Sequence, residues 1–264
     1  MDRIGIFGVP RSGTSWLSQI VNSNPSTALR FQPLFSYGHK DMLNEKSSAL
    51  EINKFFVSIY NSTDSFALMN TTSQSHYPKF SKSKDPTHLV FKETRYLNLM
   101  ENFLDKSEIK IIGICRNPID TLTSWINTPK EFHPKWIIND EWKDAPSKNK
   151  GIKSEYFGFN KWLLAMKDFI RLRDKFPNRL YLINYEVLKV DTLAETLKIY
   201  DFAGLKISAQ TIEFIDKSKT WHNPNPYAVY KNRESDYAYK LPENIQLQIK
   251  DILSSENIDY NHRV

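Results

Sequence analysis

With 264 residues, 40% hydrophobic and 13% aromatic, the chain can bury one sizeable core, and length favours a single globular domain over 1–264. No apolar run approaches the ~18 residues of a membrane span, MDRIGIFGVP lacks the regions of a signal peptide, and a lone Cys115 excludes an intrachain disulfide and a cysteine-based metal cluster, so a soluble, cytoplasmic, metal-free protein is expected. The net charge of +6 fits either an electropositive cleft for phosphates or sulfates or a generally basic surface, because Lys and Arg are spread along the chain without a basic arm or helix.

In chain order, the first element is a buried strand, RIGIFG at 3–8, followed by the turn GVPRSGTSWL at 8–17. A helix then places Trp16, Leu17, Ile20 and Val21 on one face and ends between Asn22 and Pro25. Residues 36–87 combine helical pieces with a Ser/Thr/Lys-rich run and read as a surface insertion. Further buried strands are HLVFK at 88–92, IKIIGIC at 109–115 and RLYLINY at 179–185. A second insertion, 128–151, mixes Trp, Pro and Lys without a period, and helical stripes recur at 155–175, 191–203 and 242–253. Strands alternating with helices predict an α/β protein, a P-loop-type three-layer fold with a central parallel sheet flanked by helices. Ligands of such sheets bind beyond the carboxyl ends of the strands.

The first turn keeps the spacing of a nucleotide phosphate loop through Gly8, Gly13 and Ser15, but Thr14 stands where the lysine belongs. A cation sits instead at Arg11, in the crown of the loop. A strand, a glycine turn and a helix start make an anion site, because the first helical N–H groups are unpaired and the helix dipole is positive there. Ser12, Thr14 and Ser15 add hydroxyl donors. In ICRNPIDTLTSW, 114–125, Arg116 follows a strand and Ser124 lies eight residues on, about 2.2 helical turns, so an Arg fork and a hydroxyl can clamp a second phosphate.

Together PRSGTSW and RNPIDTLTS resemble the two phosphate motifs of the sulfotransferases that use 3′-phosphoadenosine 5′-phosphosulfate. LINYEVL, 182–188, resembles a later strand end of that family, where a tyrosine, here Tyr185, lies near the adenine. The resemblance implies a P-loop-like fold, a donor held without magnesium, the product adenosine 3′,5′-bisphosphate, and sulfuryl transfer to a hydroxyl or amine of a carbohydrate, glycolipid or small metabolite. It implies that Pro10, Arg11, Ser12, Gly13, Thr14, Ser15 and Trp16 form the 5′-phosphosulfate loop, with Arg11 neutralising the leaving phosphate, and that Arg116 and Ser124 hold the 3′-phosphate.

Cytosolic members carry Lys-Thr-His at a strand end; here VFKETR aligns Lys92 with their lysine, as a second cation toward the sulfuryl group, while Glu93 and Thr94 replace the pair. Other branches use a glutamate after the first helix, where this chain has Gln32 in RFQPLF. Glu93 is therefore the candidate base, or else an ion-paired residue beside Lys92 and Arg95. His39, His76 and His133 read as surface histidines. The family's C-terminal R-K-G-x-x-G is missing after Gly204; WHNPNPYAVYKNR, 221–233, is the nearest segment, with Lys231 and Arg233 in its place, a departure from the steroid and phenol branch. Phe35, Tyr37, Phe132, Trp136 and Trp142 supply aromatic faces for an acceptor or for the core.

Two other readings compete. A nucleotide kinase or other nucleoside triphosphatase lacks the loop lysine, and the strand IKIIGIC runs into Arg116 rather than a magnesium-binding Asp. A non-enzymatic anion or nucleic-acid binder explains the charge but not two spaced motifs.

Overall fold

The computed structural model describes residues 1–221, 228–229 and 237–259. Five strands, β1 (Asp2–Phe7), β2 (Thr27–Phe31), β3 (His88–Glu93), β4 (Lys110–Cys115) and β5 (Leu180–Asn184), form one sheet in the order β2-β3-β1-β4-β5. All four pairings are parallel, with Ile4 opposite Val90 on one side and opposite Lys110 on the other. The helices are α1 (Thr14–Asn22), α2 (Ala49–Tyr60), α3 (Met100–Lys106), α4 (Pro118–Ile126), α5 (Ile138–Glu141), α6 (Pro146–Asn149), α7 (Phe159–Lys175), α8 (Tyr185–Val190), α9 (Thr192–Ala203), α10 (Ala209–Thr220) and α11 (Glu243–Ser255).

Alternation along the strands feeds two cores. Phe7, Leu89, Phe91, Ile111 and Leu182 join Phe55 and Phe56 of α2, Phe103 of α3, Trp125 of α4 and Phe169 of α7 on one face. Ile4, Ile6, Val90, Ile112 and Ile183 join Leu17 and Ile20 of α1, Tyr200 of α9 and Phe214 of α10 on the other. Strands sandwiched in this way are apolar on both faces, which is why β1, β3, β4 and β5 were recognisable as unbroken apolar runs.

The expected strands are all present, but a fifth, β2, was not expected. It is an edge strand with alternating burial, TALRF, and its Arg30 and Thr27 break the apolar signal. The stretches expected to be surface insertions also reach the interior: Ile52, Phe55, Phe56 and Ile59 of α2 are each at most 1% exposed, and Phe132 and Trp142 are buried as well. A capping box, Ser48 with Glu51, starts α2 and gives that helix a fixed beginning.

β1 lies between β3 and β4, yet the helix after β1 covers one face of the sheet while those after β3 and β4 cover the other. That reversal opens a crevice at the carboxyl ends of the strands, where doubly wound sheets take their ligands.

Candidate active site

The loop after β1 sits in this crevice. Gly13 precedes α1 with φ 93°, and a Cβ there would lie 2.4 Å from Cδ2 of Tyr185; at Gly8 it would lie 2.6 Å from the Ile114 carbonyl. Only glycine fits either place, and the loop is pressed against β4 and α8. Arg11 also has a positive φ, 72°, a conformation that costs a side-chain-bearing residue about 1–3 kcal/mol and is retained where the surroundings hold it. Ser12 N and Ser12 Oγ both donate to the Val9 carbonyl, at 3.2 and 2.6 Å. Ser12 was expected to offer its hydroxyl to a ligand; instead the proton closes the loop. No side chain caps α1, whose first helical bond runs from Leu17 N to Gly13 O at 3.1 Å, so the amides of Thr14, Ser15 and Trp16 form an uncapped, partially positive helix start.

Ser15 meets the end of β3. Lys92 Nζ donates to Ser15 Oγ at 3.3 Å and lies 4.3 Å from the centre of the Phe31 ring; the Tyr77 hydroxyl donates to the same oxygen at 3.4 Å. Burial pushes Lys92 down to about 7, against the raising pull of Glu93 and Glu131. Glu93, its neighbour on the strand, projects to the opposite face, where Oε1 accepts from Leu34 N at 2.9 Å and the buried Oε2 has no hydrogen-bond partner among the described residues. Burial raises its carboxyl to about 8, countered by the Leu34 amide, Lys92 and Arg95. The alternative in which Glu93 is tied up by Arg95 does not match the ion pair formed, since Arg95 Nε binds Glu155 at 2.7 Å. Gln32 accepts from Thr94 and Arg95.

The second motif meets the first. Asn117 caps α4 by accepting from Ile119 N and Asp120 N, with Pro118 in the first turn, so anion binding in this segment falls to side chains rather than to the helix start. Arg116 Nη1 donates to the Arg11 carbonyl at 3.3 Å, and its guanidinium lies 4.8 Å from the centre of the Tyr185 ring. The Arg116 carbonyl accepts from Trp162 Nε1 at 2.9 Å. Two turns along α4, Ser124 Oγ accepts from Arg11 Nε at 3.1 Å. Trp16 donates from its indole Nε1 to Ser218 Oγ at 2.9 Å, and its ring makes a T-shaped contact with Tyr185. Pro10 is buried in the turn, and Thr14 is buried at the helix start.

Sequence reading missed two carboxylates. Glu186 accepts from Asn117 N at 2.9 Å and fixes the start of α4 beside Arg116; burial raises its carboxyl. Its position after Tyr185 in a strand-end segment was the available signal. Glu131, in the unperiodic stretch after α4, places Oε1 3.8 Å from Arg11 Nη1, and nothing in the sequence marked it. His39 was expected at the surface but is 6% exposed, held by Ser58 and Ser62, and its burial lowers the imidazole. Phe132 and Trp142 are core side chains; Phe35 and Tyr37 are exposed. Lys231 and Arg233 lie outside the described residues. Among those described, no cluster of three or more His, Cys, Asp or Glu is placed to hold a metal ion, and no helix is long and apolar enough to cross a membrane.

A parallel sheet with a glycine loop following its central strand and an arginine at the neighbouring strand end defines a protein of the P-loop-like α/β class. The chain matches the sulfotransferase domain over residues 1–236 and belongs to the sulfotransferase family. Cytosolic sulfotransferase 14 of Arabidopsis thaliana is 23% identical over 216 residues, 79% of this chain; the chain spans about half, 55%, of that relative's length. Its fold is also that of a mouse sulfotransferase complexed with PAP, with a TM-score of 0.54 at 15% identity over 98% of this chain and 85% of that one. A sulfotransferase of Alicyclobacillus acidocaldarius superposes with a TM-score of 0.56 at 13% identity, over 97% and 92% of the two chains.

Proposed function

We propose that the chain is a single sulfotransferase domain that moves the sulfuryl group of 3′-phosphoadenosine 5′-phosphosulfate to a hydroxyl or amine of a carbohydrate, glycolipid or small metabolite. The observation that carries this reading is the junction of the two motifs: Arg11 on Ser124 and Arg116 on the Arg11 carbonyl bring both anion-binding segments to one crevice. A donor with phosphates at both ends of one ribose needs two such segments side by side. The mouse relative complexed with PAP, the bisphosphate left when such a donor gives up its sulfuryl group, supports the choice of donor.

In this reading the uncapped amides of Thr14 to Trp16 hold the 5′-phosphate and Arg11 takes up the charge that grows on it as the S–O bond breaks. Lys92, beside Ser15, faces the sulfuryl group. Arg116 holds the 3′-phosphate next to Ser124, with the adenine against Tyr185. The acceptor oxygen or nitrogen attacks sulfur in line and gives up its proton; Glu93 in its ionised form, which its raised carboxyl reaches as pH rises through about 8, is the residue assigned to receive it. Because Glu93 is fully buried, this role requires the acceptor to reach Oε2 behind Leu34.

Titration of the protein, without magnesium, with PAP (adenosine 3′,5′-bisphosphate), ATP and AMP tests the donor site. Micromolar affinity for PAP alone, weakened by Arg116→Ala, is expected. Preference for ATP, or no binding of any, would overturn the reading.

A further inference from the structure

Glu131 is an acidic side chain beside Arg11, the cation assigned above to the donor's leaving phosphate. Its main chain is pinned to the end of α4: its N–H donates to the Thr128 carbonyl at 2.8 Å, and its carbonyl accepts from Trp125 Nε1 at 3.1 Å. Trp125 itself is 1% exposed, so the backbone of Glu131 is fixed to the core. The side chain then reaches back to the loop, with Oε1 3.8 Å from Arg11 Nη1. That is ion-pair range but too long for a hydrogen bond, and Oε2 is buried with no hydrogen-bond partner among the described residues. The pair is therefore loosely made, on a side chain that is 22% exposed. Its charge also acts on Lys92, Lys148 and the Tyr77 phenol.

A phosphate arriving at Arg11 meets this carboxylate. Like charges close together repel, and more strongly at a protein surface than in bulk water, so the two anions cannot share Arg11 without cost. Ser124 binds the Nε side of the guanidinium, and Glu131 approaches it from the Nη1 side. We propose that Glu131 is a positioning residue that competes with the donor for Arg11: it holds the outer face of the guanidinium in the donor-free protein, gives it up to the 5′-phosphate, and reclaims it as the bisphosphate product leaves. This inference rests on the donor proposed above. It makes Glu131 a brake on nucleotide affinity and an aid to product release, a role opposite to that of the cations around it.

The test is calorimetric titration with PAP of the parent, Glu131→Gln, Glu131→Asp, Arg11→Ala and the Arg11→Ala/Glu131→Gln double variant, with thermal unfolding of each. Glu131→Gln is expected to bind PAP roughly tenfold tighter with a slower dissociation rate, and Glu131→Asp, one methylene shorter, to fall between it and the parent. In the Arg11→Ala background the Gln substitution is expected to change affinity less than twofold. A residue that merely supports the fold would weaken binding when replaced, not tighten it. Unchanged or weaker PAP binding by both Glu131 variants overturns the inference, as does an equal gain with and without Arg11. Absence of PAP binding by the parent would instead remove the donor reading, and this one with it.

Discussion

Arg11 Nε donates to Ser124 Oγ at 3.1 Å, across 113 positions of sequence, so the cation of the first phosphate motif is aimed by the hydroxyl of the second. Ser124 is 3% exposed, in the last turn of α4, and cannot follow Arg11 if the loop moves. Ser124→Ala is expected to lower PAP affinity about tenfold, the ~1–2 kcal/mol of a hydrogen bond to a charged group, with little change in melting temperature because Arg11 still reaches water. Titration beside thermal unfolding checks it; unchanged affinity would mean that the loop alone positions Arg11.

Arg116 offers a planar fork against the Tyr185 ring, a geometry a lysine ammonium cannot reproduce. Arg116→Lys is expected to lose at least tenfold in PAP affinity while leaving the weak binding of AMP, which lacks a 3′-phosphate, within about twofold. The ratio of the two dissociation constants is the measurement. An equal loss for both nucleotides would place Arg116 at the loop rather than at the 3′-phosphate.

Glu93 and Lys92 give opposite pH dependences. The Glu93 carboxyl is raised in the fold from about 4.5 to about 8, so its contribution to stability is complete below pH 4.5 and is lost as pH rises through 8. Lys92 is lowered from 10.5 to about 7, so its contribution is complete above pH 10.5 and is lost as pH falls through 7. Glu93→Gln, which can still accept from Leu34 N, is expected to gain in melting temperature over the parent as pH rises from 5 to 8.5. Thermal unfolding across that range decides it; a constant difference between the two proteins would show Glu93 ionising as an ordinary carboxylate. With a working acceptor, the same variant is expected to lose turnover far more than PAP affinity.

Gly13 and Gly151 both have positive φ, 93° and 70°, but only Gly13 has a side chain in the way. Gly151→Ala is expected to cost about 1 kcal/mol, the backbone term alone. Gly13→Ala adds a Cβ 2.4 Å from the Tyr185 ring and is expected to cost several times that and to abolish PAP binding, because Tyr185 must shift from beneath Arg116. Denaturant unfolding of both variants, with PAP titration of the second, provides the comparison; similar costs would mean that the Tyr185 ring yields freely.

Strands β1, β3, β4 and β5, the phosphate loop and the Arg116–Ser124 spacing were legible in the chain because each depends on neighbours in sequence: an apolar run, glycines at a turn, an arginine just before a helix and a hydroxyl on it. Periodicity likewise found α1, α7, α9 and α11. β2 escaped because partly exposed residues alternate with its buried ones, and the burial of α2 escaped because a helix inside a polar stretch reveals its inward face only once Phe91 and Phe103 are there to meet Phe55 and Phe56. The site divides in the same way. Which residues carry anion chemistry was written locally; the meeting of Arg11 with Ser124 and Glu131, the tying of Ser12 to Val9, the burial of His39 and the opposite facing of Lys92 and Glu93 were decided by tertiary packing. Charge and hydrogen-bonding partners act over a few ångströms in space, and only the folded sheet brings strand ends separated by a hundred residues within that distance.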